Sequence, residues 1–252
     1  MRLYLLTAML LAPALSFAHE QCAAQADRNL DIDLAGAKSV RVVVNSHEIH
    51  LEGTATPKII VRGKACASDQ DGLKGLTITQ QREGDVIVVE LKDETSHWGW
   101  GSHYSDLKVD IKVPTNLPVD VKVGSGDANV RNVVSLQSSV GSGDLDVSHV
   151  SGSFSTNVGS GDVDAQDVGP VRVGSIGSGD FTVKTVRGDV SIDSIGSGDA
   201  NVSSVTGNIK VGTIGSGDLH VNDATGSLTV DTLGSGDVDH HGVAGKVSIP
   251  VH

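Results

Sequence analysis

Seven aspartates recur behind the same three residues. The tetrapeptide Gly-Ser-Gly-Asp begins at Gly124, Gly141, Gly159, Gly177, Gly196, Gly215 and Gly234, at spacings of 17, 18, 18, 19, 19 and 19 residues. Any fold that stacks these units aligns Asp127, Asp144, Asp162, Asp180, Asp199, Asp218 and Asp237 into a line of carboxylates. Such a line repels itself unless it is neutralised or hydrogen-bonded. One remedy is Ca²⁺, which takes about six to eight oxygen ligands and fills rolls built from Gly-Gly-x-Gly-x-Asp repeats. The other is the backbone, because Asp accepts hydrogen bonds from N–H groups in turns. Two features favour the backbone. The opposite turn carries Asn132, His149, Asp167, Thr185, Ser204, Asp223 and Gly242, an inconsistent set of oxygen donors, and Glu is absent from residue 124 onward. A longer carboxylate cannot make a short local bond, so its exclusion fits a structural role. The expectation is no cofactor, with calcium as the alternative. The paired glycines are expected to supply positive φ angles.

A second group is less regular. His97-Trp98-Gly99-Trp100-Gly101-Ser102-His103-Tyr104 concentrates aromatics in a chain only 3% aromatic. Aromatics on a Gly-rich loop suit stacking on sugar rings or anchoring a partner. His97, Trp98, Trp100, His103 and Tyr104 are therefore the candidate ligand or partner contacts, against the plainer reading of a hairpin loop lying over the end of the core. His97 and His103 alone fall short of a closed metal ligand set, and no metal site is assigned. His240, His241 and His252, with Pro250, break the repeat in its final unit and fit an end cap. No Gly-x-Ser-x-Gly nucleophile elbow stands at a strand-to-helix junction, so no catalytic residue is assigned and an enzyme is not expected.

The elements that position these residues follow from the repeat. After each Gly-Ser-Gly-Asp, apolar residues alternate with polar ones, as Leu145/Val147 or Phe181/Val183, and a third apolar residue follows at Val150 or Val186. A second alternating pair then appears, as Val190/Ile192 or Ile209/Val211. Period-two alternation rich in β-branched residues is strand. A period near 20 means units that bury their apolar faces only by stacking. The fold class is all-β: a parallel β-solenoid (β-helix or β-roll) of about seven 17–19-residue coils over 124–252. It is preceded by an irregular β cap over 19–123, with strands expected at 40–44, 59–61, 76–78, 86–91, 107–113 and 119–123 and turns at Glu52-Gly53, Asp71-Gly72 and Glu83-Gly84.

Residues 1–18 read as a secretory leader: Arg2, an apolar run over 3–15, and a small-x-small cleavage site at Ser16-Phe17-Ala18. The run is too short for a membrane span, and no transmembrane anchor is expected. A periplasmic or secreted protein is the expectation. In an oxidising compartment Cys22 and Cys66, the only two cysteines, should pair as a disulfide. A net charge of −12 disfavours nucleic acid as a partner.

Leader, irregular β half, the strand end Ile111-Lys112-Val113-Pro114 followed by Val119-Asp120-Val121-Lys122-Val123, and the Gly-Ser-Gly-Asp coils together resemble the bacterial secreted "putative adhesin" β-strand-repeat family. That family is a domain of unknown function related to autotransporter-adhesin head domains. The resemblance covers roughly 30–250. It implies a non-catalytic structural or interaction module of the envelope, whose partner is an envelope or extracellular protein or glycan, and it supplies no catalytic residues.

Overall fold

Alternation in the sequence becomes two stacked sheets. The computed structural model describes residues 22–94 and 104–250. The first half contributes β1 (Ala24–Ile32), β2 (Ser39–Asn45), β3 (Glu48–Thr54), β4 (Ile59–Ala67), α1 (Gln70–Gly75), β5 (Leu76–Glu83), β6 (Val86–Asp93), β7 (Ser105–Pro114) and β8 (Val119–Val123). The repeats contribute β9 (Asp127–Val133), β10 (Leu136–Val140), β11 (Asp144–Val150), β12 (Phe154–Val158), β13 (Val163–Val168), β14 (Val171–Ile176) and β15 (Phe181–Val186). They continue with β16 (Val190–Ile195), β17 (Ala200–Val205), β18 (Ile209–Ile214), β19 (Leu219–Ala224), β20 (Leu228–Leu233), β21 (Val238–Val243) and β22 (Val247–Ser248).

Each sheet has 11 strands. The first runs β1-β4-β7-β3-β9-β11-β13-β15-β17-β19-β21, and the second β22-β20-β18-β16-β14-β12-β10-β8-β2-β6-β5. From β9 onward the chain alternates between sheets, so every coil is one strand of each, paired parallel to the coil before. This is the expected β-solenoid. Gly-Ser-Gly-Asp turns lie in register at one corner, with Asp127 opposite Asp144 and Leu145 opposite Val163.

Inward residues form apolar columns that are buried along most of the stack. Phe181 sits between Val163 and Ala200 in its column, and Phe154 between Leu136 and Val171 in the facing sheet. Placing a large side chain beside smaller ones lets a narrow two-sheet core fill without voids. The polar residues Ser138 and Thr156 are buried in this core and hydrogen-bond each other at 2.8 Å, so neither hydroxyl is orphaned.

The corner works differently from expectation in two respects. Its glycines are absent from the positive-φ positions. They are required by close approach: a Cβ on Gly161 would lie 1.8 Å from the carbonyl oxygen of Gly143 one coil earlier. Nor do the aspartates bond locally. Asp162 Oδ1 accepts from the N–H of Asp180, Asp180 Oδ1 from Asp199, and Asp199 Oδ1 from Asp218, at 2.9 to 3.0 Å. The Asp column is an inter-coil ladder.

Positive φ appears at the other corner. Asn132, His149, Asp167, Thr185, Ser204, Asp223 and Gly242 have φ between 56° and 67°. One left-handed residue per coil places two successive side chains outside before the next apolar residue turns in, giving the burial pattern of Ala200–Val205 and its neighbours.

The first half joins the same sheets. The β2–β3 coil is parallel to β8–β9 on one side and to β6–β7 on the other. Beyond them β4 and β1 pair antiparallel on the first sheet, and β5 antiparallel on the second, closing that end. Arg28 ties this closure together, donating from Nε to the carbonyl of Leu76 at 2.7 Å and from Nη2 to that of Leu73 at 2.8 Å. Two turn assignments are corrected. Glu52-Gly53 lies inside β3, where a Cβ on Gly53 would fall 1.9 Å from the carbonyl oxygen of Asn132. Asp71-Gly72 lies inside α1, which Asp69 caps by accepting from the Gly72 N–H at 2.7 Å.

Candidate functional site: a polar groove beside the disulfide

The expected aromatic contacts divide. His97, Trp98, Trp100 and His103 lie outside the described residues. Tyr104 is described, and at 41% exposure it is the exposed large hydrophobic residue of the described chain. Its hydroxyl accepts from the Ala23 N–H at 3.0 Å, and its carbonyl accepts from the Ser68 N–H at 3.0 Å. The ring is thereby pinned to the segment that enters β1 and to the end of β4.

Tyr104 stands at a groove of about 690 Å³ on the outer face of the first sheet, across β1, β4 and β7. The Cys22–Cys66 disulfide, formed as expected, lines one end. It joins the segment before β1 to β4, where Gln25 already pairs with Cys66. The remaining walls come from alternation: outward residues of each strand supply Gln25, Asp27, Lys64, Asp106 and Lys108. Lys64 lies directly opposite Lys108 on the neighbouring strand and opposite Asp27 on the other side. Lys108 Nζ bonds Glu48 at 2.7 Å, which holds the Glu48 carboxyl below its ordinary range and raises the lysine above its own. Lys64 thus faces the groove beside a like charge, an arrangement that favours an incoming hydrogen-bond acceptor.

The volume falls in the range of ligand sites. An aromatic face, two ammonium groups, two carboxylates and an amide offer both stacking and mixed donor–acceptor contacts. That chemistry suits a polyhydroxylated or polar ligand. Lys64, Lys108, Asp27 and Asp106 were not singled out from sequence. They are brought together by β4 pairing antiparallel with β7 on one side and with β1 on the other, long-range contacts that leave no local signature. Tyr104 and the cysteines were the legible part.

The Asp column runs into the same row of the first sheet, Asp127 lying opposite Glu48 and Glu48 opposite Lys108, but its carboxylates do not line the groove. Among the described residues, no group of three or more His, Cys, Asp or Glu side chains has metal-holding geometry. His47 occupies the corner position that Gly126 holds in the next coil, since Glu48 pairs with Asp127. It is buried, and its Nε2 has no hydrogen-bond partner. Burial pushes the imidazole below its ordinary pKa, opposed more weakly by Asp93 and Asp106.

Solved structures share the architecture. A protein described as a "putative adhesin" from Bacteroides fragilis NCTC 9343 is 16% identical with a TM-score of 0.54, covering 90% of this chain and 97% of its own. A "putative adhesin" from Parabacteroides distasonis ATCC 8503 is 17% identical with a TM-score of 0.51, covering 86% and 97%. A "putative lipid binding protein" from the same organism is 18% identical, with a TM-score of 0.47 and coverage of 87% and 97%. At these identities the likeness is one of fold. No curated protein sequence matches the chain. The family model of the Toastrack DUF4097 proteins matches residues 28–250, nearly all of the solenoid and its closing strands, and the chain belongs to that family.

Proposed function

We propose that this chain is an exported, adhesin-like interaction module without catalytic activity, whose solenoid is a rigid support for a ligand-contact groove at its N-terminal end. The observation that carries this reading is Tyr104, exposed at the mouth of a disulfide-edged groove lined by Lys64, Lys108, Asp27 and Asp106. A glycan or an envelope protein is the ligand class that such a surface fits. Export is supported by the leader read at 1–18, which lies outside the described residues, and by the disulfide. No helix among the described residues is long and apolar enough to cross a membrane. The fold resembles solved proteins described as adhesins, which supports an envelope or extracellular setting. This reading calls for no cofactor, which is supported by the backbone N–H groups that Asp162 and Asp180 accept.

The test is a glycan array and an envelope-extract pull-down with the wild type, Tyr104→Ala and Lys64→Ala. Binding that falls at least tenfold in both variants, with unchanged melting temperature, supports the groove. Binding retained by both variants overturns it.

A further inference from the structure

Ion pairs on the outer face of the first sheet run across the strands and leave one line of charges unpaired. Lys108 pairs with Glu48 of β3, Arg62 of β4 with Asp31 of β1, and Arg131 of β9 with Glu52 of β3, at 2.7, 2.7 and 3.2 Å. Asp110 lies between Arg62 and His50 in the register, yet Arg62 turns to Asp31 and His50 stands 3.3 Å from Glu48. Lys112 lies beside Glu52, which Arg131 already engages. Lys64 has the like charge of Lys108 beside it, and Asp106 lies opposite Cys66 of the disulfide. Among the described residues, Asp106, Lys64, Asp110 and Lys112 enter no ion pair.

These four charges follow one another along β4 and β7. Asp106, Asp110 and Lys112 are outward residues of β7, and Lys64 sits beside Lys108 in the step between the first two. The signs alternate acid, base, acid, base, in steps of two residues, about 6.8 Å each. The line begins in the groove described above, which takes in Asp106 and Lys64. It continues into a second groove of about 390 Å³, which takes in Asp110 and Lys112. Lys64, Asp110 and Lys112 are exposed, so the line is open to solvent.

We infer that this line is a docking track for an extended peptide segment of a partner protein, in which basic and acidic residues alternate at every second position. The inference rests on the groove reading above and names its occupant. A polycation or a polyanion does not fit, since either would meet repulsion at every other step. An extended chain repeats its same-face side chains every two residues, again about 6.8 Å apart. Successive same-face residues of such a segment can therefore meet Asp106, Lys64, Asp110 and Lys112 in turn. Exposed pairs are individually weak, so recognition lies in the order of the charges rather than in any single contact.

The test uses the whole chain at low ionic strength and two fluorescent peptides of one composition, Lys-Thr-Glu-Thr-Lys-Thr-Glu-Thr and Lys-Thr-Lys-Thr-Glu-Thr-Glu-Thr. The alternating peptide should bind saturably, and the block peptide about fivefold more weakly. Exchanging two protein charges, Asp110→Lys with Lys112→Asp, keeps the net charge and should leave the melting temperature unchanged. It should move the preference to Lys-Thr-Glu-Thr-Glu-Thr-Lys-Thr. Lys64→Gln, a single change on the other strand, should bring the alternating peptide close to the block peptide. No saturation to millimolar peptide, equal binding of the first two peptides, or a preference that ignores the exchange overturns the inference. The groove reading survives any of these where Tyr104→Ala and Lys64→Ala still lose binding on the glycan array, a glycan then being the occupant.

Discussion

Asp180 Oδ1 accepts a hydrogen bond from the backbone N–H of Asp199 at 3.0 Å, one coil further along the stack. The carboxylate therefore replaces a backbone acceptor at the point where the chain changes sheets. Removing it leaves the Asp199 N–H dependent on water. Asp180→Ala should cost about 1 kcal/mol. Asp180→Asn keeps an acceptor oxygen and should cost less, whereas Asp180→Glu displaces the carboxylate and should resemble Ala. Urea melts of the three variants check the order; equal stability of Glu and wild type would contradict it.

Gly161 and Gly143 approach closely, since a Cβ on the former would lie 1.8 Å from the carbonyl oxygen of the latter. Backbone on both sides leaves nothing flexible to yield. Gly161→Ala should destabilise by about 1–3 kcal/mol, the usual cost of overpacking, or more. A loss below 0.5 kcal/mol in chemical denaturation would mean that the corner can spread (roughly half the low end of the usual cost).

Burial holds the His47 imidazole below its ordinary pKa of 6.5 in the folded protein. The unfolded chain takes up a proton as pH falls through about 6.5, while the folded chain takes it up only at lower pH. Stability from this group is thus fully present above about pH 6.5 and declines below it, until the folded imidazole also titrates. Glu48 and Asp31, whose carboxyls are held low by Lys108 and by Lys58 with Arg62, contribute a separate loss at more acid pH. Melting temperatures between pH 7.5 and 5 should fall in the wild type and stay flatter in His47→Gln. Parallel curves would remove His47 as the cause.

Thr185 has φ of 60°, a left-handed conformation that a β-branched residue adopts at a cost. Thr185→Asn should stabilise by up to about 1 kcal/mol, because Asn tolerates that region. Thermal and urea denaturation should both show the gain. A loss of stability would mean that the threonine makes a contact that outweighs the strain.

The repeat made the solenoid legible, because a period of 17 to 19 residues with two alternating strand segments admits few other folds. The reason for each column was less legible. Gly-Ser-Gly-Asp reads as a turn of positive φ, yet its glycines answer to the backbone of the adjacent coil, a constraint acting between residues 17 to 19 apart. The left-handed column was hidden because Thr185, Ser204 and His149 share no residue type that marks the conformation. At the candidate groove, Tyr104 and the disulfide could be read directly. Lys64 and Lys108 could not, since only the antiparallel pairing of β4 with β7 sets them side by side.

The proposed reading rests on the Asp column being held by backbone donors, as at Asp162, Asp180 and Asp199, without a cation. The most direct measurement is the melting temperature of the disulfide-bonded protein at neutral pH, in EDTA and across a Ca²⁺ titration. A ligand bound only by the native state raises the melting temperature with its concentration by mass action. The account predicts the same melting temperature in EDTA and in millimolar Ca²⁺. A large drop in EDTA, restored by Ca²⁺ and not by Mg²⁺, would contradict it.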